Sequence, residues 1–586
     1  MAQAESCIIE IGSQKLGSFS SLTIEQFVGH PDSFELNCWR RALIAESDLE
    51  TESIASVYSK VGSDITFQIQ NIQTGGKTKN FFFKGFITEI AAVRDNSMSE
   101  GLTIKGFSPE IFLKDLPKRR SFENMTLRQI AEEVLRPYPT DVISLSSEIQ
   151  TQDTNVYPYI VQYDESNYNF LIRLANTFGE WFYYDGRKLV FGTPRNTKVE
   201  LSHGGNLMQV QVNTAIGPVK FRTSYYDYLE DSDVEADSES VNINSYLNNP
   251  ANTLFSASGN KYPDPGFLTY RNSYALQPDP VQKSFEIQKQ KTALNMFIAS
   301  GICSEPLMIG SDIQVYGRNR KESNNDDLGE FMTYYTKHTL TNDLTYTNGF
   351  DSLPKQLQIG PTSAPPERKI PSPERAVVVD NNDPEQLGRI RVRFGWQESS
   401  QMAPWARMLS QHSGDSRGSY FVPETGDEVL VDFEYGDPQK PIILGTLFGK
   451  NHAPESAWAT SSNDIKKIRT RSGHTIEFDD TSGSESLLIY NGSGSSPDSN
   501  NNKIVLSLSP DKITIESQGD IEIKGNNIKL DAQGNLDLHA TSGVTVKSDG
   551  GSVDVEGTGV TVKGTASAEI SSSGSTTVKG SIVQIN

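Results

Sequence analysis

The most regular alternation of apolar and polar positions lies in the last eighty or so residues. An apolar residue, one intervening residue and a second apolar residue recur ten times, each group followed by a polar turn. The first mates are Ile513, Ile521, Ile528, Leu536, Val544, Val553, Val560, Ala568, Thr576 and Val583. The second mates are Ile515, Ile523, Leu530, Leu538, Val546, Val555, Val562, Ile570, Val578 and Ile585. Ala568 and Thr576 are the weak members. Residues two apart share one face of a strand, so each pair presents a single apolar face. The residue between the mates is polar every time, from Thr514 and Glu522 to Thr577 and Gln584. Gly519, Gly525, Gly534, Gly543, Gly557, Gly564, Gly574 and Gly580 mark the corners, where a positive φ is expected because Gly adopts it at little cost. Repetition at so short a period predicts a stacked rod rather than a globule.

Such a repeat cannot stand alone. Ordering eight residues costs on the order of 12 kcal/mol at roughly 1.5 per residue. Burying two Val or Ile side chains returns about 3–6 kcal/mol, and only when other strands cover them. Two arrangements supply the cover. Three parallel chains can wind into a triangular prism, each giving one strand per layer, or one chain can form a solenoid with three strands per coil. The solenoid would have little more than three coils and would need a cap, and no capping segment is visible after Ile585. The trimeric triangular β-helix is therefore the expectation, with Ile513 to Val562 supplying its core. Ten repeats would rise roughly 45–50 Å at about 4.8 Å per strand.

Upstream, short alternating runs predict strands. Cys7–Ile11, Phe34–Trp39 and Ile65–Ile69 alternate, and Phe81-Phe82-Phe83 suits a strand covered on both faces. Two helices interrupt them. One follows Asn124 as N-cap and carries Leu127, Ile130, Ala131, Val134 and Leu135 to a stop at Pro137. The other starts near Asp164-Glu165-Ser166 and ends at Gly179. Strands resume at Trp181–Tyr184 and Lys188–Phe191, and 200–360 reads as further strands with long polar loops. Pro361, Pro365, Pro366, Pro371 and Pro373 mark a linker. Beyond it, Ala376–Val379, Arg389–Phe394, Trp405–Met408, Tyr420–Val422, Glu428–Phe433 and Pro441–Leu444 suit a small closed barrel such as an OB-fold. The divisions expected are 1–115 and 197–372 as two parts of a β-barrel region, 116–196 as an α/β insert, 373–450 as the OB-fold, 451–502 as a neck and 503–586 as the rod.

Charge narrows the function. A net charge of −21 argues against a nucleic-acid partner. The run Asp227 to Ser240 carries seven acids and no Lys or Arg, but lacks EF-hand spacing and reads as an exposed loop. Cys7, Cys38 and Cys303 are odd in number and far apart, which points to reduced, buried thiols. No run approaches 18 apolar residues, and Met1 to Gly12 lacks the features of a secretory signal peptide. The chain is expected to be made in the bacterial cytoplasm and to leave by a dedicated route.

Catalytic patterns are weak. Gly414-Asp415-Ser416-Arg417-Gly418 fits G-x-S-x-G, but that motif needs a strand before it and a helix after it. Strand residues follow here, so it reads as a barrel loop. The seven histidines are scattered without metal spacing. Asp479 and Asp480 are adjacent and would face opposite ways in a strand. No catalytic residue, cofactor or metal is expected.

The stretches Asp383-Pro384-Glu385-Gln386-Leu387-Gly388-Arg389-Ile390-Arg391-Val392-Arg393-Phe394, Pro404–Arg407, Phe421–Phe433 and Gly436–Pro441 carry a resemblance. They are similar to VgrG spike proteins of type VI secretion and to related spikes of phage-like contractile injection systems. Arg471–Asp480 fits the neck of that family, and Val161–Ser166 with the helix to Phe178 looks like its hub. The resemblance implies a homotrimer with hub β-barrels, an OB-fold collar and a needle. It also implies inner-tube and baseplate partners, effector cargo, a target membrane crossed transiently and a PAAR-type tip protein. The tip protein would dock on Ile582, Val583, Ile585 and Asn586. Two other readings are an enzyme-bearing spike, for which the assigned segments leave no room, and a trimeric receptor-binding fibre, which normally ends in a knob.

Overall fold

The computed structural model describes residues 2–43, 57–94, 100–140, 149–194, 198–247, 249–267, 280–318, 326–357, 359–361, 369–492 and 502–585. Two compact units divide the chain, 1–453 and 454–586. The fold is mainly β, as expected.

The expected early strands form, as Ser6–Ile11, His30–Trp39, Asp64–Thr74 and Lys77–Arg94. They belong to a 14-stranded sheet that also takes in Leu207–Thr214, Phe297–Cys303, Asp312–Gly317, Asp326–Thr341 and Thr345–Pro354. The seam between the two halves is the antiparallel pair Ser21–Phe27 with Asp326–Thr341, in register from Phe27 opposite Tyr335 to Ser21 opposite Thr341. Each half has its own core. Phe34, Phe67 and Phe83 centre the first, and Phe297, Phe331 and Phe350 centre the second. Segments three hundred residues apart thus pair in one sheet, which local alternation cannot foretell.

The insert carries both expected helices. Leu127–Leu135 starts one residue pair later than Asn124 would place it. Thr126 is the N-cap and forms a capping box with Gln129, while Asn124 sits at φ +53 inside the preceding strand. Asn167–Phe178 is capped by Ser166 and ends at Gly179. Gly179 has φ +77, and a Cβ there would lie 2.8 Å from Ile359 Cγ2, so both conformation and packing require Gly.

Two further helices, Asn249–Lys261 and Pro280–Leu294, occupy the region read as strands and loops. The first is rich in Asn, Ser and Gly, which are poor helix formers, so its local signal is weak. The second begins with Pro280 at its first position, a start signal that sequence reading passed over. The acidic run is also not a loop. Ser232–Asp237 pairs with Phe221–Asp227 in a hairpin whose acids Asp233, Glu235 and Asp237 face outward.

The OB-fold forms a five-stranded sheet, Arg391–Phe394, Glu374–Asp380, Glu428–Phe433, Pro441–Thr446 and Arg407–Met408 in that order. Reciprocal backbone hydrogen bonds between Ile390 and Ala406, at 3.0 and 2.9 Å, join its two edges into a barrel around Val378, Val392, Val431 and Ile443. Tyr420–Val422 is not a strand, and Tyr420 and Phe421 are exposed. Cys38 and Cys303 are buried free thiols, whereas Cys7 is only half-buried. Burial pushes all three up to about 12. No helix among the described residues is long and apolar enough to cross a membrane.

Candidate functional site

The second unit opens with an antiparallel meander of five strands, Ile465–Arg469, Thr475–Asp479, Ser486–Asn491, Asn502–Leu508 and Asp511–Ser517. Residues 503–517, read from sequence as the start of the rod, therefore close this meander, and Ile513 and Ile515 sit in its last strand. Strand alternation sorts its faces. Ile468, Ile476, Ile489, Ile504 and Ile515 lie directly opposite one another across all five strands. Phe478, Leu487, Leu506 and Ile513 form a second row on that same face. The isoleucine row is 38% to 61% exposed in one chain.

The other face is already covered. Glu477 is buried there and takes Lys467 Nζ at 2.7 Å and a hydrogen bond from the Tyr490 hydroxyl at 2.6 Å. Burial pushes the Tyr490 hydroxyl well above its usual range. Lys467 also lies over the Trp458 ring, so the segment before the meander shields this polar face. The meander thus has one finished face and one bare, apolar face.

Residues 518–585 continue without a strand pair inside the chain. Their apolar pairs are exposed in a repeating rhythm. The first mates Ile521, Ile528, Leu536, Val544, Val553 and Val560 are each less exposed than their partners Ile523, Leu530, Leu538, Val546, Val555 and Val562. No two of these pairs are brought together by strand pairing. Ile582, Val583 and Ile585 are exposed as well, and Asn586 lies outside the described residues. The corner glycines differ from expectation, since none of the eight has a left-handed φ. At Gly564 the missing Cβ instead permits close approach, because a Cβ would fall 2.1 Å from the Ser567 carbonyl oxygen.

In the first unit, the OB-fold is bolted to the insert by groups the sequence did not single out. Glu374 accepts hydrogen bonds from Trp396 Nε1 at 2.9 Å, Arg119 Nη1 at 2.9 Å and the Tyr163 hydroxyl. Arg119 stacks over the Tyr163 ring and grips Asp164, which holds the Asp164 carboxyl below its usual range. Gln397 Nε2 reaches Ser121 Oγ at 3.0 Å, and Val161 N donates to Gln439. The acidic hairpin adds a latch. Its Tyr228 ring lies under the Arg407 guanidinium at 4.6 Å, and its hydroxyl accepts from Arg389 at 3.4 Å.

The Asp383 to Arg389 motif has a structural cause. Asp383 is buried, pairs with Arg389 at 2.7 Å and accepts the backbone N–H groups of Glu385, Leu387 and Arg389. These bonds, Arg389 foremost, hold its carboxyl down to about 2. Ser416 sits on the exposed turn between Ser413–Gly414 and Arg417–Gly418, a two-strand hairpin and not a strand–helix elbow. Among the described residues no His, Cys, Asp or Glu cluster of metal-binding size occurs. The signal that could have located the apolar face was the alternation in Ile476–Phe478 and Leu487–Ile489, visible but overshadowed by the longer repeat.

A hub-like β region, an OB-fold and a five-stranded meander leading into a repetitive C-terminal stretch match the build of phage-baseplate hub and injector proteins. The family described as phage tail baseplate hub (GPD) matches residues 33–270, and the type VI secretion system/phage-baseplate injector OB domain matches 374–448. Two spike proteins of Pseudomonas aeruginosa are similar. VgrG4b is 22% identical over 435 residues, 65% of this chain and 51% of its own length. VgrG1b is 24% identical over 417 residues, 63% of this chain and 53% of its own. A chain of a Francisella PdpA–VgrG complex shares the fold, with TM-score 0.54 at 12% identity over 88% of this chain and 89% of that one. Together these matches support a VgrG-type spike protein of contractile injection systems. The chain spans about half the length of these curated relatives.

Proposed function

We propose that three copies of this chain form the hub and membrane-puncturing spike of a contractile injection machine. The observation that carries the reading is the bare apolar face of 465–492 and 502–585 in a single chain. Water contact along so long an apolar stripe is unfavourable by roughly 25 cal/mol per Å², and unpaired strand backbones invite pairing with another chain. Three interleaved chains supply both partners. The hub joins the inner tube and baseplate, and the Glu374 and Tyr228 contacts pass thrust from the insert through the collar. The role is mechanical rather than enzymatic.

The chain is made and assembled in the bacterial cytoplasm and delivered outward on contraction. Effector cargo rides on it, and a PAAR-type tip protein seats on Ile582, Val583 and Ile585. Removing residues 581–586 should leave the assembly intact and end tip binding. A single-chain solenoid is the second reading, and the exposure of every apolar pair counts against it. Mass measurement of the full chain is expected to give three copies. Electron microscopy should show a rod in which the nine repeats from Ile521 rise about 43 Å at roughly 4.8 Å each. A monomer, or a rod of roughly 15 Å from three strands per coil at the same spacing, would overturn the proposal.

A further inference from the structure

The apolar pairs explain why chains associate but not at which register. Ile, Leu and Val recur at equivalent places in successive repeats, so sliding one chain by a whole repeat leaves the core almost unchanged. Something else must reject the slipped forms. Resting on the three-chain reading above, we propose that two columns of outward charges set the register at which the copies interleave.

In a three-chain prism, one repeat of a chain stacks on the next repeat of its neighbour. Aligning the repeats on their apolar pairs then places outward residues in two columns. The residue between the mates gives the column Glu522, Lys529, Asp537. The residue after the second mate gives Lys524, Asp531 and, two layers further, Lys547, Glu556, Lys563. Every vertical contact between two charged residues in these columns joins opposite signs, and no two like charges are stacked.

A slip of one repeat reverses this. It sets Glu522 against Asp537, Asp537 against Asp554 and Asp554 against Glu569 in the first column. It sets Lys547 against Lys563 and Lys563 against Lys579 in the second. Asp531 against Lys547 is the remaining favourable contact. Like charges directly opposite on neighbouring strands are destabilising, and the threefold repeats each clash on three faces. The single-chain solenoid, which stacks a repeat on the third one after it, is neutral by comparison. Lys524 then meets Lys547 and Asp531 meets Glu556, while Lys529 meets Asp554 and Glu556 meets Lys579. The pattern therefore singles out neighbouring repeats on different chains.

One chain by itself leaves these groups in solvent. Lys524 pairs with Glu522 and Lys529 with Asp531 at 3.1 Å, all more than two-thirds exposed. Their outward faces are free to meet a second copy, and the charge complementarity identifies that copy as the partner.

The test uses the full chain with Thr577→Cys and Gln584→Cys, vertical neighbours in the native register whose strands lie within disulfide reach. Oxidation should link the copies into a covalent trimer. Adding Lys524→Glu, Lys547→Glu and Lys563→Glu should cut that linkage several-fold at low salt. About 1 M salt, where the Debye length is about 3 Å, should restore it. Inverting the partners as well, with Asp531→Lys and Glu556→Lys, should restore it at low salt. Undiminished linkage in the Lys→Glu variant overturns the proposal, as does a loss that neither salt nor inversion repairs. A parent chain that is not trimeric at all would instead overturn the three-chain reading beneath it.

Discussion

The 14-stranded sheet and the rod use the same residues to opposite ends. In the sheet, Phe34, Phe67 and Phe83 are buried by strands of their own chain, with ring centroids 5.1 Å apart for the first pair. In the rod, Val546 and Val562 are 70% and 77% exposed although the alternation around them is cleaner. Alternation reports which face is apolar. It does not report whose atoms cover that face. The sheet region covers its own apolar face, and the rod leaves its apolar face uncovered by its own chain.

Replacing Val546 with Asp attacks the rod alone. Three carboxylates would meet on the axis, where desolvation is costly without a partner. Loss of the trimer is expected in light scattering, with the thermal transition of the 1–453 unit unchanged. A variant that stays trimeric and equally heat-resistant would place Val546 on the outside. The converse change is Phe67→Ala, expected to cost the sheet about 3–5 kcal/mol. Denaturant melts should show that loss while the rod keeps its resistance.

A pH titration separates the regions further. Glu110 is fully buried, and desolvation, opposed by its Ser108 hydrogen bond, pushes its carboxyl up to about 8. A raised carboxyl favours the folded state below the usual value of 4.5, and that contribution is lost as pH rises toward 8. Glu110→Gln should therefore gain on the parent by about 1.4 kcal/mol per pH unit above 4.5, or about 2 kcal/mol at pH 6, read from melting across pH. His338 has the opposite sign. Burial pulls it down to about 3, so its contribution is lost as pH falls below 6.5. Smallest is Thr126→Ala, which removes the capping-box oxygen and should lower stability by about 1 kcal/mol in the same melts.

Much of this architecture is legible in short stretches. Ser166 and Gly179 bracket a helix because cap chemistry is local, and His30–Trp39 alternates because one side of the strand is wet. The helix Asn249–Lys261 was not legible, since packing of Ala251, Leu254 and Phe255 outweighs weak intrinsic preference, whereas Pro280–Leu294 carried a legible start in Pro280. Tyr420–Val422 reads as a strand from its aromatics, yet the barrel closes without it. Glu374, Gln397 and Tyr228 could not be chosen in advance. Their roles come from partners such as Arg119, Ser121 and Arg407, which lie more than a hundred residues away.

The sequence alone determined the period of the rod, the shared face of its apolar mates and the alternation of charge sign between them, because period and sign are properties of neighbouring residues. Tertiary structure decided that 503–517 ends a meander, that the acidic run is a hairpin latched onto the OB-fold, and that the corners do without left-handed glycines. Those outcomes depend on which distant strand arrives at an edge and which side chains fill the space beside it, and no local pattern encodes that arrival.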